Sequence, residues 1–553
     1  MLHEKYINET KEAGVVTNLV FNIPDDFNFA YDVVDEIART NPGKLAIMWC
    51  NESGREKRIT FGEVSLESDR IASFLLSKGI KKGDPVMLIL KRHYEYWFSI
   101  IALHKIGAVA IPASNQLLVK DLIYRFKMSE TRAVIATPDG ETAQDIDLAC
   151  MQMGDIAPMR IIVRTPREGW ICMDEELDNA KPFVRPTGSD SPNVRDIMLM
   201  YFTSGTTGYP KMAVHDYSYP LGHIRTAKYW QCVERDGLHL TVSDTGWAKA
   251  SWGKIYGQWL MEGAIMVYDY DRFNAGNLLD VLVKYRVTTF CAPPTIFRFM
   301  IHEDLSEYDL SFIHRVTIAG EALNPEVFAR FKAITGLEIC EGFGQTETTC
   351  CIGTPYWLTP KPGSLGKEMP GYRLAILDSH GDPASPGVVG EISFRSSYCN
   401  GPAGLFKGYC HDEQKTDEVW HDGYYRTGDM AWKDEEGYYW YVGRIDDLIK
   451  SSGYRIGPFE VESVLMEHES VMECAITGVP DPIRGQVVKA TIVLAKGFEP
   501  SDELKTEIQN YVKTHTAPYK YPRIIEFIEA LPKTTSGKIQ RNILRNPEKT
   551  GMK

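Results

Sequence analysis

Tyr201-Phe202-Thr203-Ser204-Gly205-Thr206-Thr207-Gly208-Tyr209-Pro210-Lys211 is the stretch around which this sequence organises itself. It follows the apolar run 197–200, which reads as a buried strand. Glycine lets backbone N–H groups approach an anion closely, and Ser and Thr hydroxyls add donors around it, so the loop reads as a polyphosphate cradle. It is not a P-loop, because Pro210 precedes the lysine, Met212 follows it and no Gly-Lys-Ser/Thr opens a helix. Turn chemistry alone would favour a plain Gly/Ser/Thr turn. The rest of the chain decides between the two.

The 553 residues suffice for several domains, and 44% hydrophobic content is ordinary for a globular protein. A net charge of −13 with a pI near 5.6 argues against a nucleic-acid or anionic-membrane partner, so a polyanionic ligand must be met by local cations. Residues 1–12 mix acids and bases without an apolar core and do not read as a signal or transit peptide. No apolar run is long enough to span a bilayer. Eleven cysteines without a Cys-x-x-Cys pair fit a reducing cytoplasm and no structural zinc. The expected location is the cytoplasm; the oligomeric state stays open, a homodimer included.

Helix and strand signals alternate up to about residue 200. The spacing predicts a helix over 66–78 closed by Gly79, a strand over 85–90, a helix over 96–105 and a strand over 108–111. Strands near 264–268, 288–291 and 316–319 continue the pattern, which implies a mainly parallel sheet covered by helices. Residues 372–441 change to short alternating strands with Gly/Asp turns, a small antiparallel or barrel-like subdomain. Beyond Gly443 a new α+β unit of about a hundred residues begins, within the usual domain range. The fold class is therefore α/β, with a large helix-flanked domain over 1–443, a smaller C-terminal domain over 447–553 and a connection at 444–446.

Other stretches carry chemistry. Glu341-Gly342-Phe343-Gly344-Gln345-Thr346-Glu347-Thr348 follows a strand and offers a flat ring, a hydroxyl and a hard oxygen ligand for Mg²⁺. Thr427-Gly428-Asp429 presents a carboxylate suited to vicinal hydroxyls, though such a turn forms without any ligand. Pro532-Lys533-Thr534-Thr535-Ser536-Gly537-Lys538 places a lysine after a flexible pair, deliverable onto a ligand as a point charge.

In this order and spacing these segments, with Gly443-Arg444-Ile445-Asp446-Asp447, resemble the adenylate-forming superfamily over essentially the whole chain. That superfamily comprises acyl-CoA synthetases, nonribosomal adenylation domains and firefly luciferase. Ser452-Gly453-Tyr454-Arg455-Ile456-Gly457-Pro458, 480–485 and 517–523 look like its medium-chain acyl-CoA synthetase branch. The resemblance implies that a carboxylate attacks ATP to give an acyl-adenylate, and that coenzyme A then displaces AMP. It implies β/γ-phosphate contacts from Thr203, Ser204, Gly205, Thr206, Thr207, Gly208 and Lys211. Adenine would lie by Gly320, Glu321, Ala322 and the stretch Glu341, Gly342, Phe343, Gly344 and Gln345. Asp429 and Arg444 would take the ribose, and Arg455 the phosphate. Thr346 and Glu347 would serve the α-phosphate and Mg²⁺, with Lys538 bridging carboxylate and phosphate. Coenzyme A would meet Ser452, Gly453, Tyr454 and Arg484, with Lys513 and Arg523 near its phosphates, and Asp446 would be the hinge of a rotating lid.

For the acyl pocket the resemblance points to Trp247, Lys254, Trp259, Cys291 and Gly344. Acetyl-CoA synthetases carry tryptophan where Gly344 stands, so glycine implies a deeper slot and a medium-chain, branched or aromatic acid rather than acetate. Two alternatives stay open: delivery of the adenylate to a carrier protein, and a non-catalytic nucleotide sensor.

Overall fold

Runs of Val, Ile and Ala with no polar alternation need cover on both faces, and the strands Val109–Pro112 and Ala133–Ala136 are buried at every residue. The computed structural model describes residues 1–203, 210–321, 323–396, 401–452, 454–533 and 538–545. These two strands belong to a seven-stranded sheet in the order Lys211–Asp216, Ile197–Thr203, Val109–Pro112, Pro85–Ile89, Ala133–Ala136, Met159–Ile162, Ile171–Cys172. Its neighbours are parallel except the edge hairpin of Ile197–Thr203 with Lys211–Asp216.

The helix Phe61–Ser77 starts ahead of the expected 66 because Thr60 caps it: the Thr60 hydroxyl accepts from Glu63 N, and the Glu63 carboxylate accepts from Thr60 N at 2.7 Å. It stops where expected, with Gly79 at φ +84°. The helix Glu95–Ile106 is buried along its whole length, which places it between layers rather than on the surface. Lys105 at its end tolerates this because its ammonium meets Asp69 at 2.6 Å and Asp35 at 2.8 Å.

A second sheet runs Leu45–Asn51, Ala264–Asp269, Leu238–Thr241, Thr289–Ala292, Arg315–Ile318, Ile339–Phe343 in parallel. Ile352–Gly353 and Ser364–Glu368 then carry it, antiparallel, into Tyr439–Arg444, Tyr424–Lys433, Gly390–Arg395 and Leu374–Leu377. The expected subdomain over 372–441 is thus antiparallel as read, but it is hydrogen-bonded edge to edge onto the parallel sheet instead of closing on itself. The C-terminal domain has its own five-stranded sheet and its own core, which includes Ile449, Ile456, Val461, Ile476, Ile492 and Ile508.

Arg225 ties three distant segments together with no carboxylate. Its guanidinium donates to the Pro370 carbonyl at 2.8 Å and the Ala403 carbonyl at 2.6 Å, and lies 4.0 Å from the Tyr372 ring and 4.4 Å from the Phe21 ring. Burial lowers its pKa. Arg225→Met would leave two buried carbonyls unpaired and is expected to cost about 2–4 kcal/mol, read as a lowered thermal midpoint. An unchanged midpoint would show that the cross-tie contributes nothing.

Candidate functional site

The cradle sequence joins two antiparallel strands, Ile197–Thr203 and Lys211–Asp216. Thr203 and Lys211 are cross-strand partners at its base, and Tyr124 holds the Pro210 carbonyl at 2.9 Å. The candidates Ser204, Gly205, Thr206, Thr207 and Gly208 lie outside the described residues, as do Ala322 and Gly453. Lys211 opens a strand rather than a helix, which fits the exclusion of a P-loop. Lys211 points its ammonium over the Tyr409 ring at 5.0 Å.

The second loop leaves the strand Ile339–Phe343. Phe343 is half-buried and tilts against Tyr441 at 6.3 Å. Gln345 is fixed at both ends, donating to the Thr427 carbonyl at 2.8 Å and Asp429 Oδ2 at 2.5 Å while accepting from Tyr425 at 2.6 Å. Asp429 also accepts from Tyr441 at 2.9 Å and Arg444 at 3.1 Å. The Thr346 carbonyl accepts from His215 Nε2 at 2.9 Å; burial pushes that imidazole down to about 3, so it is neutral. Glu347 is 9% exposed, and its Oε1 accepts from Tyr409 at 2.7 Å.

Glu341 is a correction. Burial raises its carboxyl to about 8, where it is protonated at neutral pH, and it faces the backbone of Leu323 at 3.3 Å. Its carbonyl is taken by Trp230 and Thr354, so its side chain props the loop from behind. The donor set fits Mg²⁺: Glu347 supplies one hard carboxylate, and among the described residues no three metal-binding side chains converge into a cage. Mg²⁺ characteristically binds through one or two carboxylates with phosphate and water oxygens completing its shell.

Gly344 does not deepen a slot. A methyl group there would come within 2.4 Å of the Trp252 ring and 2.5 Å of the Thr349 carbonyl, so the indole already fills the space that the missing side chain leaves. Trp230 fills Gly342 in the same way, at 2.5 Å. Trp259 is displaced from the pocket reading. It is buried in the core against Phe29 and Phe61, at 6.3 and 5.4 Å, and donates to the Ala46 carbonyl. Lys254 lies elsewhere too, lining a small cavity with Leu240, Tyr268 and Tyr270; burial, then Arg92, lowers its amine to about 7.

Trp247 caps the short helix Ala248–Gly253, half-exposed. The lysine near the site is Lys249, which donates to the Ala319 carbonyl at 2.7 Å, beside Gly320 and Glu321. Burial lowers its pKa, the neighbouring Cys291 and Glu321 oppose this, and Lys538 adds to it. The charge of Lys538 thus reaches Lys249 from the C-terminal domain.

On the C-terminal domain the structure joins Ser452 to Arg484, whose Nη1 donates to the Ser452 hydroxyl at 3.3 Å. Tyr454 stacks on Tyr519 at 4.0 Å. Lys513 and Arg523 both lie on the Tyr521 ring, at 4.3 and 4.8 Å. Arg455 is exposed beside Tyr454. Asp446 sits in an exposed turn held by Ile445 N to the Gly428 carbonyl and Asp447 N to the Arg444 carbonyl. Asp447 in turn pairs with Arg545.

The chain belongs to the AMP-binding enzyme family: residues 34–410 match the model of that name and 460–538 match the AMP-binding enzyme C-terminal domain. It is 40% identical over 537 residues to the acyl-coenzyme A synthetase ACSM3, mitochondrial, of Rattus norvegicus, covering 96% of this chain and 92% of that protein. With ACSM5, mitochondrial, of Mus musculus it shares 40% over 538 residues, covering 95% and 91%. Among solved structures, the anthranilate CoA ligase AuaEII in complex with anthranoyl-AMP superposes with a TM-score of 0.85 at 28% identity, covering 95% of this chain and 98% of that one. The benzoate CoA ligase from Burkholderia xenovorans LB400 gives 0.81 at 27%, covering 94% and 100%. No helix of the described residues is long and apolar enough to cross a membrane.

Gly344→Ala is expected to cost about 1–3 kcal/mol through overpacking. Combined with Trp252→Ala, the loss should fall short of the sum of the two single losses by about 1 kcal/mol or more. Additive thermal-shift losses would mean that the indole does not occupy this space.

Proposed function

We propose that the protein is an ATP- and CoA-dependent carboxylic acid ligase that forms an acyl-adenylate and then an acyl-CoA, releasing pyrophosphate and AMP. The observation that carries the reading is that Glu347 and Asp429 are held in place around the 344–348 loop, Glu347 by Tyr409 and Asp429 by Gln345, Tyr441 and Arg444, while the charge of Lys538 from the far end of the chain acts on Lys249. A mobile cation delivered there offsets the repulsion between a carboxylate and a nucleotide phosphate, most strongly where water is excluded.

In this reading Thr203, the hairpin tip and Lys211 hold the β/γ-phosphates, and Thr346 faces the α-phosphate. Phe343 and Gly320–Glu321 flank adenine. Asp429, aligned by Gln345, Tyr441 and Arg444, takes a ribose hydroxyl with the Oδ1 lone pair that those three leave free. Glu347 would hold Mg²⁺, whose contribution is to neutralise phosphate charge. The two family matches fall on either side of 444–446, which supports a hinge at Asp446. Rotation there would exchange the Lys538 face for that of Ser452, Tyr454 and Arg484. Arg484, Lys513 and Arg523 supply the cations that coenzyme A phosphates need in a chain of net charge −13.

The acid would sit along the helix Ala248–Gly253, against Trp252, Cys291 and Gly344. Bulky indoles close to Gly342 and Gly344 favour a flat or medium-sized acyl group over a long one, and two of the structural relatives are ligases for the aromatic acids benzoate and anthranilate. A cytoplasmic location belongs to the same reading, supported by ten described cysteines that are all free thiols; the curated relatives above are named mitochondrial.

Lys538→Ala is expected to abolish acid-dependent ATP–pyrophosphate exchange, by about a hundredfold or more for one lost transition-state charge contact. It should spare thioester formation from supplied acyl-adenylate. Equal loss of both halves would contradict a lysine that serves only the first.

A further inference from the structure

Tyr409 touches both charged groups that the nucleotide reading uses, and nothing in the sequence reading assigned it. Its hydroxyl donates to Glu347 Oε1 at 2.7 Å, and the Lys211 ammonium lies 5.0 Å from its ring centroid. The residue is 7% exposed. Its backbone leaves it little freedom: the Lys407 N–H donates to the Val214 carbonyl at 2.7 Å, Val214 N to Gly408 at 3.0 Å and Cys410 N to Met212 at 2.9 Å. Tyr409 thus forms a bridge with Ala213, in the strand that starts at Lys211. Its own N–H donates to the Thr416 hydroxyl at 2.9 Å. Three residues earlier in that strap, Phe406 N donates to the Glu347 carbonyl at 2.8 Å. The segment 406–410 therefore clamps the cradle strand and the Gln-Thr-Glu loop together, with Tyr409 as the side chain that joins them.

A carboxylate and an ammonium in a water-poor cleft attract strongly, and a direct ion pair would engage both before a nucleotide arrives. A phenol beside them offers a different arrangement. Its O–H donates a charge-assisted hydrogen bond to the carboxylate, and its electron-rich face receives the cation. We propose that Tyr409 is a positioning residue that holds Glu347 and Lys211 apart and pre-aligned, one for the metal and the other for the phosphates. The proposal rests on the reading of Glu347 and Lys211 given above.

Titration calorimetry of ATP binding, with and without Mg²⁺, separates the two contacts. Tyr409→Phe keeps the ring and loses the hydroxyl. It is expected to raise the Mg²⁺ concentration needed for half-maximal enhancement of ATP binding about tenfold, the equivalent of one charge-assisted hydrogen bond, and to leave metal-free ATP affinity near wild type. Tyr409→Leu removes the face as well and should weaken both. A thermal midpoint within the wild-type range identifies the folded variants, and the Phe variant retains all of the ring's packing. If Tyr409→Phe has a wild-type Mg²⁺ dependence while Glu347→Gln loses it, Tyr409 does not position the carboxylate and the proposal is overturned, with the nucleotide reading intact. If Glu347→Gln also keeps a wild-type Mg²⁺ dependence, the reading of Glu347 falls and the proposal with it.

Discussion

The strand Ile339–Phe343 is the seam on which the molecule depends. On one side it pairs in parallel with Arg315–Ile318, and on the other it pairs antiparallel with Ile352–Gly353. Two sheet architectures of different construction therefore meet in one hydrogen-bonded surface, and the loop carrying Gln345, Thr346 and Glu347 leaves at the junction. Ligands of open α/β sheets lie outside the carboxyl ends of the strands, where connections diverge. The close approach of Trp230 to Gly342 and of Trp252 to Gly344 explains why glycine alternates along this end: each missing side chain is replaced by an indole from another segment.

Around that seam, charge is handled in two ways. In the scaffold it is cancelled or suppressed: Lys105 is paired twice, Glu341 is kept protonated by burial, and His215 is kept neutral. At the mouth it is retained and held in place. Glu347, Lys211, Asp429 and Arg444 each meet a partner from a different stretch, so that the strap 406–410, the strand residues 427–429 and the hairpin base constrain one another. A site that receives a highly charged nucleotide gains from such pre-alignment, because the ordering is complete before binding.

Much of this was legible in the sequence, and the exceptions have physical causes. The buried parallel strands announce themselves as apolar runs, and Gly79 lies two residues beyond the last helical residue, Ser77. The 344–348 loop leaves the end of the strand Ile339–Phe343, as the sequence reads. The acyl side was misread because the helices Ala248–Gly253 and Tyr256–Leu260 are almost wholly buried, so no polar face shows which way each side chain points. Lys249 and Lys254, five positions apart, look alike in sequence and end beside different neighbours. Likewise Trp252 and Trp259 are both apolar bulk, yet one packs on Gly344 and the other on Phe29. Arg225 and Tyr409 were missed for another reason: their partners lie far along the chain, and no local pattern encodes a contact of that span.

In the proposed reaction a carboxylate oxygen attacks the α-phosphate of ATP, with Lys538 closing the cleft. Incubating the protein with ATP, Mg²⁺, coenzyme A and an acid carrying heavy oxygen in its carboxylate, then weighing the AMP, tests it most directly. A medium-chain or aromatic acid such as octanoate or benzoate is the substrate to use first. The account predicts one labelled oxygen in AMP and none in pyrophosphate. Acyl-CoA formed with unlabelled AMP and label in a released phosphate would contradict it.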